Sequence, residues 1–200
     1  MSNIYFKKEK DLHQSLLETN EDGITLLQDR ILEYALGQNE EIHGEVSISS
    51  EFNAGDAGYI DLLCYHHTTG DNNKYFDIHI VELKRNELNL NVAGQVLRYL
   101  HFIERYLQTN DMIKLFCDNG NIRFHTHVVG QTYNFNIDTL SVMRYLFEKL
   151  NFNMHFFKFD PFDGLVFKQH RTITPMHIDI QYNMEKLIEA FIDSKQPEVN

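Results

Sequence analysis

Two apolar stretches with acids set inside them constrain this chain more than any other feature. Residues 58–67 (GYIDLLCYHH) and 75–83 (YFDIHIVEL) are rich in β-branched and aromatic residues and read as strands. The segment 68–73 (TTGDNN) joins them as a hairpin loop. Asp61 and Glu82 stand in YIDLL and IVELK, where the neighbours predict burial on both faces. A buried carboxylate is costly unless it is paired or bound to a metal. The hairpin therefore has to supply a partner for its own acids.

The rest of the chain supplies a layered α/β context. Residues 8–19 and 24–37 read as helices separated by Asn20-Glu21-Asp22-Gly23. The second is apolar on two faces and is expected to be largely buried, with Glu33 pointing inward. A strand at 44–52 precedes the hairpin. Residues 91–107 carry Val92, Val96, Leu100, Ile103 and Leu107 at helical spacing. Strands are expected at 112–117, 122–131, 153–159 and 164–169, with helices at 138–150, N-capped by Asp138, and at 180–193. The tail 195–200 (KQPEVN) should fray. The fold class is α/β, a mixed central sheet flanked by helices, in a single domain over 1–200. Within it, 1–23 is a helical extension, 24–165 the core, and 166–200 a C-terminal strand and helix.

Composition bounds the function. The 18 Lys and Arg against 29 Asp and Glu leave a net charge of −11, so no basic field covers the whole surface and tight nonspecific nucleic-acid binding is not expected. A locally basic groove remains compatible with that balance. No run is apolar and long enough for a membrane helix. The charged start, residues 1–14 (MSNIYFKKEKDLHQ), lacks a secretory pattern. Cys64 and Cys117, the two cysteines, each lie in an apolar run and read as buried free thiols, with a disulfide as the lesser alternative. A cytoplasmic location is expected.

The chemistry concentrates in three short segments: Ile60-Asp61, Glu82-Leu83-Lys84-Arg85, and Gln95-x-x-x-Tyr99. On a strand, Glu82 and Lys84 share one face. On a helix, Gln95 and Tyr99 stack at i, i+4. Two carboxylates beside an ammonium suit metal-assisted phosphodiester hydrolysis: carboxylate oxygens hold Mg²⁺, and Lys84 orients or helps deprotonate the attacking water. An acid two residues before a lysine occurs twice in the chain, at Glu82/Lys84 and Asp193/Lys195. Only the first lies on an apolar strand beside an acid-bearing partner and before such a helix. Arg98 and Arg105, at i, i+7, could line a phosphate path, and Arg85 could join it. His125 and His127 share a strand face and His66-His67 lie near a turn, but neither pair has zinc spacing with cysteine.

This succession resembles the PD-(D/E)XK, or restriction-endonuclease-like, nuclease superfamily, whose RecB-like branches carry the Gln-x-x-x-Tyr element. The stretch 58–99, with Val128-Val129-Gly130 and 153–161 after it, is most similar to the nuclease domain of NucS-type endonucleases. The resemblance spans about residues 24–165. It implies an αβββαβ core and cleavage of DNA with Mg²⁺ or Mn²⁺. It makes Asp61, Glu82 and Lys84 the catalytic set. Glu33, Asp61, Glu82 and the Leu83 carbonyl become metal ligands, with Glu18 and Glu9 as the other helical acids that could replace Glu33. Gln95, Tyr99, Arg85 and Arg98 become supporting or substrate-binding residues. Ile60 replaces the proline of the superfamily's name, the hairpin is long, and no separate DNA-binding domain is present. DNA is the expected substrate, with an RNA-directed nuclease and a non-catalytic binding module on the same fold as alternatives. A homodimer or a protein partner would supply affinity that the acidic body lacks.

Overall fold

A computed structural model describes residues 8–70, 73–88, 90–109, 121–133, 153–160 and 166–172. It forms one six-stranded mixed sheet, in chain order across the sheet, with helices packed against it. Strands β1 (Glu40–Asn53), β2 (Tyr59–Gly70) and β3 (Asn73–Leu88) pair antiparallel in succession. Helix α2 (Leu90–Thr109) follows β3. Strands β4 (Asn121–Tyr133) and β5 (Asn153–Asp160) are each parallel to the strand before them, and β6 (Val166–Thr172) returns antiparallel at the edge. The expected hairpin loop is shorter than 68–73, because pairing runs on through Thr69↔Lys74 to Gly70↔Asn73. The segments expected at 112–117, 138–150 and 180–193, with Asp138 and Cys117, lie outside the described residues.

The two sheet faces have separate apolar cores. Val92, Val96, Tyr99, Leu100, Ile103 and Leu107 of α2 pack with Leu63, Phe76, Ile78, Ile80 and Val128. At about 1.5–3 kcal/mol per large apolar side chain, this stripe holds α2 to β3. The second core joins Leu62, Cys64, Val81, Leu83, Val129 and Phe157 to Leu12 and Leu16 of helix α1 (Glu9–Leu16) and to Leu27, Ile31 and Leu32. Helix α1 is thus part of the core structure rather than an appendage to it.

The expected helix over 24–37 is corrected. After a short turn at 26–27 the chain widens into a π turn at Gln28–Leu32 and tightens into a 3₁₀ turn at Glu33–Ala35. The wider turn lets Leu27, Ile31 and Leu32 all reach zero exposure. It leaves Glu33 exposed, not inward as the helical reading required.

Candidate functional site: a carboxylate pair with a lysine

The antiparallel register sets Leu62 against Val81, which brings Asp61 next to Glu82 at the end of the hairpin remote from its turn. The Leu83 N–H donates to Asp61 Oδ2 at 2.7 Å, locking that carboxylate across the strands. Glu82 is 1% exposed; its Oε1 accepts a hydrogen bond from Lys84 Nζ, while its Oε2 is buried with no partner among the described residues. Burial, and then the neighbouring Asp61 charge, push the Glu82 carboxyl up to about 7. Burial also raises Asp61. For Lys84, burial opposes the charge, but the Glu82, Asp61 and Glu9 carboxylates outweigh it and hold the ammonium above its ordinary range.

Helix α2 reaches the same place. Glu82 and Lys84 continue the alternation of Phe76, Ile78 and Ile80, the row packed on α2. Tyr99 is buried; it donates its hydroxyl proton to the Tyr59 carbonyl and accepts a hydrogen bond from Gln95 Nε2 at 2.6 Å. Burial raises the Tyr99 phenol and the Gln95 bond opposes that; the Glu82 and Asp61 charges raise it further, so the ring lies within their field. Gly58, beside this ring, has φ +108°, a backbone conformation that residues with a Cβ rarely adopt. Arg98 and Arg105 are exposed on α2. Arg85 lies on β3, with its side chain outside the described residues.

Of the helical acids, it is Glu9 that joins the cluster: its Oε1 lies 3.9 Å from Lys84 Nζ. Glu33 makes no such approach; partial burial and Asp29 are what raise its carboxyl. Glu18 is exposed at the start of the loop after α1. One turn from Glu9 on the same helix face, His13 stands close enough for its charge to favour the Asp61 carboxylate, and its Nε2 is buried without a partner. The sequence reading missed His13, although the Glu9/His13 spacing beside the Leu12/Leu16 stripe marks it.

A second polar cluster fills the opposite face. His66, His79, His125, His127 and His155, from four adjacent strands, are all buried. Their rings stack at 4.6–5.1 Å. His66 Nδ1 faces the His67 carbonyl at 3.3 Å and therefore carries the proton, so His66 Nε2 accepts from His79 Nε2 at 2.8 Å, and His79 Nδ1 accepts from His127 Nε2 at 2.8 Å. Asp77 anchors the cluster, receiving His125 Nε2 at 2.7 Å and the Arg123 guanidinium, which also reaches Glu40 at 2.7 Å. Cys64 beside them is a free buried thiol, pushed up to about 12 by burial. Among the described residues, no three of His, Cys, Asp and Glu are arranged to hold a metal ion between them.

No protein family, curated protein or solved structure matches this chain. Among the described residues, no helix is long and apolar enough to cross a membrane.

Proposed function

We propose that this chain is a divalent-metal-dependent nuclease that hydrolyses phosphodiester bonds, with DNA as the primary substrate. The observation that carries the reading is Glu82: a fully buried carboxylate with one oxygen on Lys84, the other unpartnered, and Asp61 alongside. Two adjacent acids, both raised by burial and Glu82 raised further by the Asp61 charge, are unfavourable for the fold alone and favourable for a site that takes a cation. The order of three antiparallel strands, a helix and a parallel strand supports a restriction-endonuclease-like core.

The residues fit Mg²⁺ or Mn²⁺. Such ions take oxygen ligands, often only one or two protein carboxylates, and keep several waters, so the lack of a third convergent ligand is compatible with them. Asp61, the free Glu82 oxygen and the Leu83 carbonyl would hold the ion, with Glu9 in place of Glu33 as the helical acid. The bound ion supplies a water of lowered pKa and neutralises charge on the phosphoryl oxygens. Lys84, held as an ammonium, would orient the attacking water and donate to the developing negative charge; its raised pKa favours this role over that of a base. Gln95 and Tyr99 brace α2 against the Tyr59 backbone and fix the wall of the site.

The test is incubation of the full chain with single-stranded, double-stranded and branched DNA and with RNA, in Mg²⁺, Mn²⁺ or EDTA. Cleavage in metal that stops in EDTA and is lost in Lys84→Ala supports the proposal. Cleavage that persists in EDTA contradicts it. Inactivity on every substrate favours a binding module in which Lys84 and Glu82 form only an ion pair.

A further inference from the structure

We propose that the groove beside the C-terminal half of α2 is a track for single-stranded nucleic acid, and that it sets the substrate class of the site above. This rests on the nuclease reading for its meaning but not for its evidence. The groove has a volume of about 620 Å³ and runs between the turn at Gly55–Ala57 and the α2 face bearing Arg98, Phe102, Arg105 and Tyr106.

Charge is the first argument. On a chain of net charge −11, the described residues of this lining carry two arginines and His101 against one acid, Asp56. Arg98 and Arg105 are exposed, and neither has an ion-pair partner among the described residues, where Arg123, Lys84 and Arg30 all do. Cations left unpaired at the rim of a concave surface suit phosphate oxygens.

Geometry is the second. Seven residues of helix set the Arg98 and Arg105 backbones roughly 10 Å apart along the axis, about three stacked nucleotide steps at about 3.4 Å each. Phe102 lies between them and stacks at 6.1 Å on Tyr106, which follows Arg105 and is 45% exposed. Phe102 rests on the turn, where a Cβ on Gly55 would meet its ring at 3.5 Å. An exposed aromatic ring beside cations is how proteins hold unpaired bases, whose faces are free, whereas a duplex buries them.

Continuity is the third. Arg98 follows Gln95 by three residues, and Tyr99 leads back to Tyr59 and the carboxylates. Tyr59, 62% exposed, marks the junction.

The experiment measures binding apart from cleavage. Fluorescein-labelled 20-nucleotide single-stranded DNA, single-stranded RNA and the matching duplex DNA are titrated with the full-length chain in EDTA, by anisotropy, at several salt concentrations. The proposal expects single strands to bind at least tenfold more tightly than duplex. Arg98→Ala and Arg105→Ala should each flatten the logarithmic salt dependence by somewhat under one unit of slope. Tyr106→Ala should cost about tenfold in affinity and Tyr106→Phe little, with circular dichroism confirming that the variants fold. The DNA and RNA arms tell which single strand is taken. Duplex binding equal to or tighter than single-strand binding overturns the proposal, as does single-strand binding unchanged by Arg105→Ala and Tyr106→Ala. Metal-dependent cleavage without single-strand preference leaves the nuclease reading standing and removes this one; single-strand binding through these residues without cleavage in any metal does the reverse.

Discussion

Acid should unfold this protein through its histidine cluster, and His155 allows the effect to be sized. His155 is buried, both of its ring nitrogens lack partners, and burial brings its pKa down to about 4. In an unfolded chain the same ring titrates near 6.5. Because the folded value is depressed, folding excludes a proton, and stability falls as pH drops below about 6.5 towards 4. Integrated from pH 7 to pH 5, this single residue costs about 2 kcal/mol. His79 and His127, held well below their ordinary value first by burial and then by neighbouring histidines, act in the same direction, as does His66. The hydrogen-bond chain gives the reason. A protonated His79 would set an N–H against the N–H of His127, which could turn away only by leaving another buried donor unpaired. Around these rings stand Asp77 on β3, Arg123 on β4, Glu40 on β1 and Tyr34 from the 3₁₀ turn. Asp77, held far below the usual carboxylate range despite its burial by its bonds to His125 and Arg123, stays charged at pH 5 and does not mask the effect. His155→Phe keeps an aromatic ring against Tyr34 and His127 and removes the titration. The difference in melting temperature between pH 7 and pH 5 should then shrink by about 4–8 °C relative to the unaltered chain. Equal acid destabilisation in both proteins, or a His155 imidazole that titrates above 6 by NMR, would refute this reasoning.

The remaining predictions concern the carboxylate pair. Lys84→Ala should leave Mn²⁺ affinity within a few-fold while lowering turnover by at least a hundredfold, checked by calorimetry beside a single-turnover cleavage assay. Since Glu82 must lose a proton to act as a ligand and its pKa lies at about 7, Mn²⁺ affinity should rise between pH 6 and pH 8, with proton release detectable by titration in two buffers. Gln95→Ala, which removes the brace on the Tyr99 hydroxyl, should reduce cleavage without changing the salt dependence of nucleic-acid binding, measured on the same oligonucleotides.

The parts of this fold legible in the sequence are those with a strong local period. The β2–β3 hairpin and α2 follow from β-branched residues and an i, i+4 stripe, and they carry Asp61, Glu82, Lys84, Gln95 and Tyr99 to one place. The segment after Gly23 was not legible, because apolar residues on two faces fit an α-helix and a π turn alike, and a widened turn reverses the direction of Glu33. Glu9 and His13 lie on a helix that reads in sequence as an extension; the burial of Leu12 and Leu16 with Leu83 and the approach of Glu9 to Lys84 bring it to the site. The histidine cluster depends on register. His79 meets His125 and His127 meets His155 across parallel strands, and no local pattern encodes such pairing.

The claim on which the rest depends is that the Asp61/Glu82 pair is a divalent-cation site. Isothermal titration of Mn²⁺ into the full-length chain and into Glu82→Ala at pH 7.5, both shown to be folded, tests it directly. The account predicts a saturable isotherm in the unaltered protein that is lost, or weakened at least a hundredfold, in Glu82→Ala. Equal Mn²⁺ affinity in the two proteins would contradict it.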